Sequence, residues 1–347
     1  MNGSFVLAAG GTGGHLFPAQ ALAAELVGYG RQVHLLSDSR ADAFAAQVPG
    51  VEIHNVRAGR LGGGPVRAAY GLAGLAAGTV HARRLLRRLR PAAVIGFGGY
   101  PSVPTMLAAA SLGLPTIIHE QNAILGRANR LLASRAGRIA TGFPETAGLR
   151  PADRIRAVHT GNPVRPAVLA LGAAEYVPPA SGAPVELLVF GGSQGARILA
   201  EAVPAALAIL PHGWRRRLRV SQQARPEDVA AVVESYATSG IAAEIEIFFA
   251  DVPQRLARAH LVICRAGAST IAELGAVGRP GLLIPYPHAT DDHQTANARA
   301  FAAAGGGRVI AQADFRPDTL AADLERLLAD GAVLTAMAGR AAAFGRR

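Results

Sequence analysis

A chain of 347 residues is too long for one ordinary core and suits two domains. Half of it is hydrophobic and 17% is charged, which excludes intrinsic disorder, while a single cysteine, Cys264, excludes a disulfide framework or a cysteine-based zinc site. The net charge is +11 with no lysine at all, and no apolar run reaches the roughly 18 residues of a membrane-spanning helix, so a soluble protein of a reducing, cytoplasmic setting is expected.

The opening stretch MNGSFVLAAGG lacks the basic and longer apolar regions of a signal peptide and reads as a first strand, 4–9. Short apolar runs follow at 32–37, 51–56, 92–96, 115–119 and 138–141, with helical patterns at 17–29, 67–89, 102–112 and 125–134. Near-continuous apolar strands with helices between them mean a parallel sheet covered on both faces. Residues 160–184 turn rich in Pro, Gly and Ala and read as a linker. The alternation restarts with 185–190, 218–221, 244–249, 261–265, 281–285 and 308–311. The expected fold is α/β: two doubly wound Rossmann-like domains, 1–160 and 161–347, facing across a cleft.

Charge divides unevenly between these halves. Residues 1–160 hold 17 Arg against 7 acids, and residues 161–347 hold 18 against 17. An anionic partner is therefore expected for the first half: a membrane surface, nucleic acid or a phosphorylated substrate. The plainer alternative is a basic surface that only keeps the chain soluble.

Three glycine-rich turns follow apolar strands: 10–14 with His15, 96–100 (GFGGY) and 191–195 (GGSQG). A strand that runs through glycines into a helix leaves backbone N–H groups and the positive helix end free for phosphate. Any one such turn is weak evidence, because a tight turn needs no ligand. A nicotinamide cofactor is the first rival, with Asp38 placed to bind ribose. The G-x-G-x-x-G pattern fails, however, since its third glycine falls on Leu16. A Walker A loop is absent.

The flanking residues are more specific. GGTGGHLFPA (10–19), GFGGYPSVP (96–104), HEQN (119–122), GNPVR (161–165), GGSQGA (191–196), CRAGASTIAEL (264–274) and DDHQTANA (291–298) occur in this order. Together they closely resemble the membrane-associated N-acetylglucosaminyltransferases of peptidoglycan synthesis, from the first strand to roughly residue 310. The resemblance implies a GT-B fold and an inverting transfer of N-acetylglucosamine (GlcNAc) from its uridine diphosphate donor, UDP-GlcNAc. The acceptor would be lipid I, a muramyl-pentapeptide on a diphosphoundecaprenol carrier, and the product lipid II. It implies neither metal nor other cofactor, since helix termini and side chains neutralise the diphosphate. It also implies a peripheral place on the cytoplasmic face of the cell membrane, with cell-wall and division proteins as further partners.

Residue by residue, the resemblance gives the second domain most of the donor contacts. Ser193 would meet the diphosphate, and the helix start Ala268, Ser269, Thr270, Ile271 and Ala272 would add N–H groups. Glu273 would hold the ribose hydroxyls, and the backbone at Phe249 would read the uracil edge. Arg165 would reach the phosphates or uridine; Gln294 and Asn122 would bond the sugar hydroxyls. Thr12, Gly13 and Gly14 would close on the donor from the first domain, while Gly98, Gly99 and Tyr100 would cradle the acceptor diphosphate. One departure is the last helical run, 334–344, where the family has a helix that crosses back onto the first domain.

The chemistry needs a base for the attacking hydroxyl and stabilisation of the departing diphosphate. His15 lies in the first turn of a helix, whose positive end disfavours an added proton, and is one candidate base. Glu120 is the other. A purely phosphate-positioning role for His15 and a loop-orienting role for Glu120 are the plainer alternatives.

Residues 67–90, RAAYGLAGLAAGTVHARRLLRRLR, read as a basic and apolar helix. Arg83, Arg84, Arg87 and Arg88 cluster on one side, with Leu72 and Leu75 extending an apolar stripe, which suits attachment to anionic lipid. The competing view is a packing helix with its leucines against its own sheet. No nucleic-acid motif or aromatic platform accompanies the arginines, which argues against nucleic acid. A non-catalytic sugar-nucleotide-binding adaptor, and a transferase acting on diacylglycerol or a natural-product aglycone, are the remaining rivals.

Overall fold

The computed structural model describes residues 3–10, 13–38, 48–59, 64–172, 175–192 and 195–345. The chain divides into two compact units, Met1–Pro166 and Ala167–Arg347, so the GNPVR motif belongs to the first.

In the first unit seven strands form one parallel sheet: β1 (Phe5–Ala8), β2 (Val33–Ser37), β3 (Val51–Asn55), β4 (Ala93–Gly96), β5 (Thr116–Glu120), β6 (Arg138–Thr141) and β7 (Ala157–His159). Their order is β3-β2-β1-β4-β5-β6-β7. The chain winds outward in one direction from β1 and then in the other from β4, so β1 and β4 are neighbours and the point of reversal lies between them. The register Phe5↔Ala93 to Ala8↔Gly96 brings the carboxyl ends of these two strands level. Helices α1 (Gly13–Gly28), α2 (Pro65–Leu89), α3 (Ser102–Ser111) and α4 (Arg127–Leu132) cover the sheet. Val6, Leu36, Val94, Ile118 and Ile139 pack one face, and Leu7, Leu35 and Phe97 the other. Strands buried on both faces explain why they read as continuous apolar runs.

The second unit repeats the plan. Its strands are β8 (Val185–Phe190), β9 (Leu218–Gln223), β10 (Ala242–Glu246), β11 (Leu261–Cys264), β12 (Gly281–Leu283) and β13 (Gly307–Val309), in the order β10-β9-β8-β11-β12-β13. Here the reversal lies between β8 and β11. The main helices are α5 (Arg197–Ile209), α6 (Val229–Ser239), α7 (Val252–Arg258), α8 (Ala268–Val277), α9 (His293–Ala303), α10 (Pro317–Ala329) and α11 (Gly331–Phe344).

Three expectations change. β7 has no counterpart among the expected strands, because its three residues carry too little apolar pattern; pairing with β6 makes it a strand. The strand expected at 244–249 is β10, shifted to Ala242–Glu246 by its register on β9, Ala242↔Arg219 to Glu246↔Gln223. Ile247 and Phe248 are left exposed and Phe249 turns inward. The expected linker contains a one-turn helix, Pro166–Leu169.

Among the described residues no single helix is long and apolar enough to cross a membrane. The bent pair α10 and α11 combines the length with the composition, but Leu320, Leu324, Leu327 and Leu334 are spent in the second unit's core. α11 packs on α8, within that unit.

Candidate active site

In the first unit the loops after β1 and β4 meet at the point of reversal. The GFGGY loop needs two residues with positive φ, Gly98 at 83° and Gly99 at 73°, which only glycine adopts at little cost. This turn lays the backbone flat against its neighbour: a Cβ on Gly99 would stand 2.8 Å from the Gly10 carbonyl and 3.2 Å from His15 Cδ2. His15, in the first turn of α1, thus sits half-buried on the glycine backbone. The turn is closed by Ser102, whose N–H and hydroxyl both donate to the Gly99 carbonyl, at 3.2 and 2.9 Å. Tyr100 is partly exposed beside it, and Gly13 and Gly14 open α1. Thr12 lies outside the described residues.

The HEQN motif ends β5 and is almost entirely buried. Both Glu120 oxygens are occupied: Oε1 accepts from Asn122 N and Nδ2 at 3.0 and 3.2 Å, and Oε2 accepts from Gly126 N and Asn129 Nδ2 at 2.9 and 2.8 Å. Gln121 lies between two histidines. Its Oε1 is 3.1 Å from His15 Nδ1, and its Nε2 donates to the His119 carbonyl at 3.0 Å and approaches His119 Nδ1 at 3.1 Å. His119 Nε2 is 3.0 Å from the Gly161 carbonyl. Burial of the His119 ring pushes its pKa below the ordinary value, against the opposing pull of Gly161 and Glu120. Asn162 Nδ2 donates to the Gln121 carbonyl at 2.9 Å, tying GNPVR to this loop. Arg165 lies over the Phe17 ring at 5.8 Å.

Sequence reading passes over Gln121, Asn129 and Asn162 as individual contributors. Asn129 lies seven residues beyond HEQN and Asn162 in the separate GNPVR motif, and each amide carries an oxygen that is buried with no partner among the described residues. Gln121 stands inside a quoted motif, but only its neighbours in space reveal what it touches.

In the second unit β8 and β11 lie side by side at the corresponding reversal, with Phe190 level with Cys264 at their carboxyl ends. Gly191 is required there, since a Cβ would lie 2.4 Å from Ala196 N. Ser193, between Gly192 and Gly195, lies outside the described residues. α8 begins at Ala268 after the extended Gly267, and the Ser269 hydroxyl is buried with no hydrogen-bond partner among the described residues. Thr270, Ile271 and Ala272 complete its first turns, and Glu273 is buried further along. Gln294, from α9, accepts from Ala266 N at 3.2 Å and Tyr286 N at 3.0 Å, joining the loops after β11 and β12.

Two arginines brace the carboxyl-end loops of this sheet, Arg265 those after β12 and β13 and Arg255 the one after β10. The buried Arg265 donates to the Ile284 and Pro285 carbonyls, both at 3.1 Å, and to Gln312 Oε1 at 2.7 Å. Phe249 is buried under Arg255, whose guanidinium carbon is 4.1 Å from the ring centroid. Arg255 in turn pairs with Glu244 and Asp251 at 2.6 and 2.8 Å. Cys264 is buried and its thiol pKa raised by that burial, so it is chemically inert.

Helix α2 divides its side chains. Leu85 and Leu86 are in the core and Leu75 packs half-buried against it. Leu75 therefore belongs to the packing face rather than to an outward apolar stripe. Tyr70 and Leu72 are exposed, as are Arg84, Arg87 and Arg88, while Arg83 bonds the Ser111 hydroxyl. Near the edge of the sheet, His34 Nδ1 lies 2.9 Å from Glu52 and 3.2 Å from His54 Nε2, with the positive Arg88 near enough to weigh on His54.

Comparison with known proteins agrees with this layout. Residues 5–141 match the glycosyltransferase family 28 N-terminal domain, and residues 186–347 its C-terminal domain. The UDP-N-acetylglucosamine–N-acetylmuramyl-(pentapeptide) pyrophosphoryl-undecaprenol N-acetylglucosamine transferase of Rhodospirillum centenum is 56% identical over 340 residues, covering 98% of this chain and 90% of the relative. The protein of the same name from Paramagnetospirillum magneticum is 53% identical over 96% of this chain and 91% of its own length. The crystal structure of Acinetobacter baumannii MurG superposes with a TM-score of 0.80 at 31% identity, covering 99% of this chain and 96% of that one. With relatives more than half identical along nearly its whole length, two Rossmann-like units and both family domains in order, the chain belongs to glycosyltransferase family 28, among the peptidoglycan N-acetylglucosaminyltransferases of the MurG type.

Proposed function

We propose that this GT-B enzyme moves GlcNAc from UDP-GlcNAc to the lipid-linked muramyl-pentapeptide, with His15 as the base. The acceptor hydroxyl oxygen bonds the anomeric carbon from the face opposite the diphosphate. The carbon–oxygen bond to phosphate breaks, UDP leaves with the electron pair, and the hydroxyl proton passes to His15. The observation that carries this reading is the position of His15, half-buried where the two glycine loops meet, with Nδ1 on Gln121 and no bond to Nε2 among the described residues. Glu120 supports it by contrast. Both oxygens of this carboxylate are already taken by four hydrogen bonds from its own loop, which makes it a loop anchor.

Donor binding falls to the second unit in this reading. The α8 N-terminus offers to the diphosphate its N–H groups and the Ser269 hydroxyl, which has no partner among the described residues, alongside Ser193. Glu273 holds the ribose, the Phe249 backbone the uracil, and Gln294 keeps its amide N–H groups for the sugar, its oxygen being used. Arg165, Asn122, Thr12, Gly13 and Gly14 complete the donor contacts, and Gly98, Gly99 and Tyr100 take the acceptor diphosphate. His15→Ala should cut kcat by about 100-fold or more with donor binding intact. Loss of binding instead would recast His15 as a phosphate contact. Glu273→Ala should raise the donor KM far more than the acceptor KM, and equal effects would sink the ribose role.

A lipid-linked acceptor and a nucleotide-sugar donor meet at the cytoplasmic face of the cell membrane. Exposed Leu72 and Tyr70 at one end of α2, and Arg84, Arg87 and Arg88 at the other, supply apolar and cationic contacts for peripheral attachment there. Charge reversal at Arg83, Arg84, Arg87 and Arg88 should release the protein from anionic vesicles in a sedimentation assay. Unchanged partitioning would remove α2 from the membrane face.

A further inference from the structure

The proton on His15 has a definite address, and the hydrogen bonds behind it supply that address. A carbonyl oxygen can only accept, so the Gln121 amide end that lies 3.0 Å from the His119 carbonyl must be the NH2. The other end is then the oxygen, also an acceptor only, and it faces His15 Nδ1 at 3.1 Å. His15 Nδ1 must therefore carry hydrogen. In a neutral imidazole the lone pair then lies on Nε2.

The far end of the chain agrees independently. Gln121 NH2 also reaches His119 Nδ1 at 3.1 Å, so that nitrogen accepts and His119 Nε2 is the protonated one. It lies 3.0 Å from the Gly161 carbonyl, again an acceptor only. Rotating the Gln121 amide by half a turn would set oxygen against the His119 carbonyl and NH2 against His15. Two backbone carbonyls, those of His119 and Gly161, thus fix every donor from Gly161 to His15. Gln121 is 1% exposed and His119 4%, so water does not replace these partners cheaply. Desolvation also disfavours the doubly protonated form of His119, which would break the chain.

We infer that Gln121, held by His119 and the Gly161 carbonyl, is a positioning residue that locks His15 in its Nδ1–H tautomer and presents the Nε2 lone pair to the acceptor hydroxyl. This rests on the reading of His15 as base. During transfer Nε2 takes the acceptor's proton while Nδ1 keeps its own hydrogen and goes on donating it to the Gln121 oxygen. A free neutral imidazole favours hydrogen on Nε2, the wrong nitrogen for this task, so the enzyme has to hold the less favoured form.

The test combines spectroscopy with kinetics on the full chain. In protein labelled with 15N-histidine, the His15 signals, assigned by their loss in His15→Ala, should show pyrrole-type Nδ1 and pyridine-type Nε2 at neutral pH. The opposite assignment overturns the inference without any need for the positioning variant to fold. Gln121→Met keeps the volume and removes both hydrogen-bonding ends. It should lower kcat about 100-fold, leave the UDP-GlcNAc KM within about twofold, and move hydrogen towards Nε2. Gln121→Glu restores an acceptor for Nδ1–H, and its negative charge should both recover part of kcat over Gln121→Met and shift the acidic limb of the kcat–pH profile to higher pH. Unchanged kcat in Gln121→Met, with His15→Ala inactive, refutes the positioning role alone. Full activity in His15→Ala removes the base reading itself, whatever tautomer the spectrum shows.

Discussion

Gly99 carries two constraints that glycine alone meets. Its φ of 73° costs another residue about 1–2 kcal/mol, and the space where a Cβ would go is closed by the Gly10 carbonyl and the His15 ring. A carbonyl on a neighbouring loop does not move as a flexible side chain would. Gly99→Ala should therefore lower the thermal midpoint and also displace His15, so that kcat falls about 10-fold or more. Gly113 is the control: its φ is 68°, but nothing among the described residues lies within 4 Å of a Cβ there. Gly113→Ala should show the backbone strain in its melting curve and keep full kcat. Equal kcat in the two variants would mean that Gly99 serves only its own turn.

At the scale of an element, the segment that follows β5 illustrates how a loop is made rigid. Glu120 gathers four donors from Asn122, Gly126 and Asn129, and so shapes the chain from the strand end to α4. Glu120→Gln replaces one oxygen with an NH2 that faces two donors in either orientation. Such a mismatch in a buried site costs about 1–3 kcal/mol, and the denaturant midpoint should fall accordingly. An unchanged midpoint would mean that the loop holds itself without this carboxylate. The catalytic consequence is indirect, because the same loop carries Gln121. Helix α2 shows the opposite economy of one element with two faces: its leucines at 85 and 86 belong to the core, and its exposed arginines remain for a partner.

For the whole molecule, three histidines set the response to acid. His119 in the first unit and His260 in the second have pKa values lowered by burial, and His54 is lowered by burial against the opposing pull of Glu52, with His34, Arg88 and His81 adding to the shift. A histidine with a depressed folded pKa binds fewer protons when native than when unfolded. Its contribution to stability is complete above the unfolded value of about 6.5 and is lost as pH falls through that value towards the folded pKa. Asp153, whose pKa is lowered by Arg150 and Arg156, acts only in the more acidic carboxylate range. Urea midpoints should hence fall between pH 7.5 and pH 5.5, and a midpoint that rises on acidification would contradict this assignment.

The sequence by itself determined the two series of alternating strands and helices, because strands buried on both faces must be apolar throughout. It also placed each glycine turn at a strand end and singled out His15, Glu120 and Glu273 by motif. It misjudged the edges, β7 and β10, where pairing with one neighbour rather than apolar pattern decides the strand. Only the tertiary structure decided which glycine turns meet, since that depends on β1 lying beside β4 and β8 beside β11. The same holds for the path from Gly161 through His119 and Gln121 to His15. Its members come from three separate segments of the chain, and hydrogen-bond direction has no signature in a one-dimensional pattern.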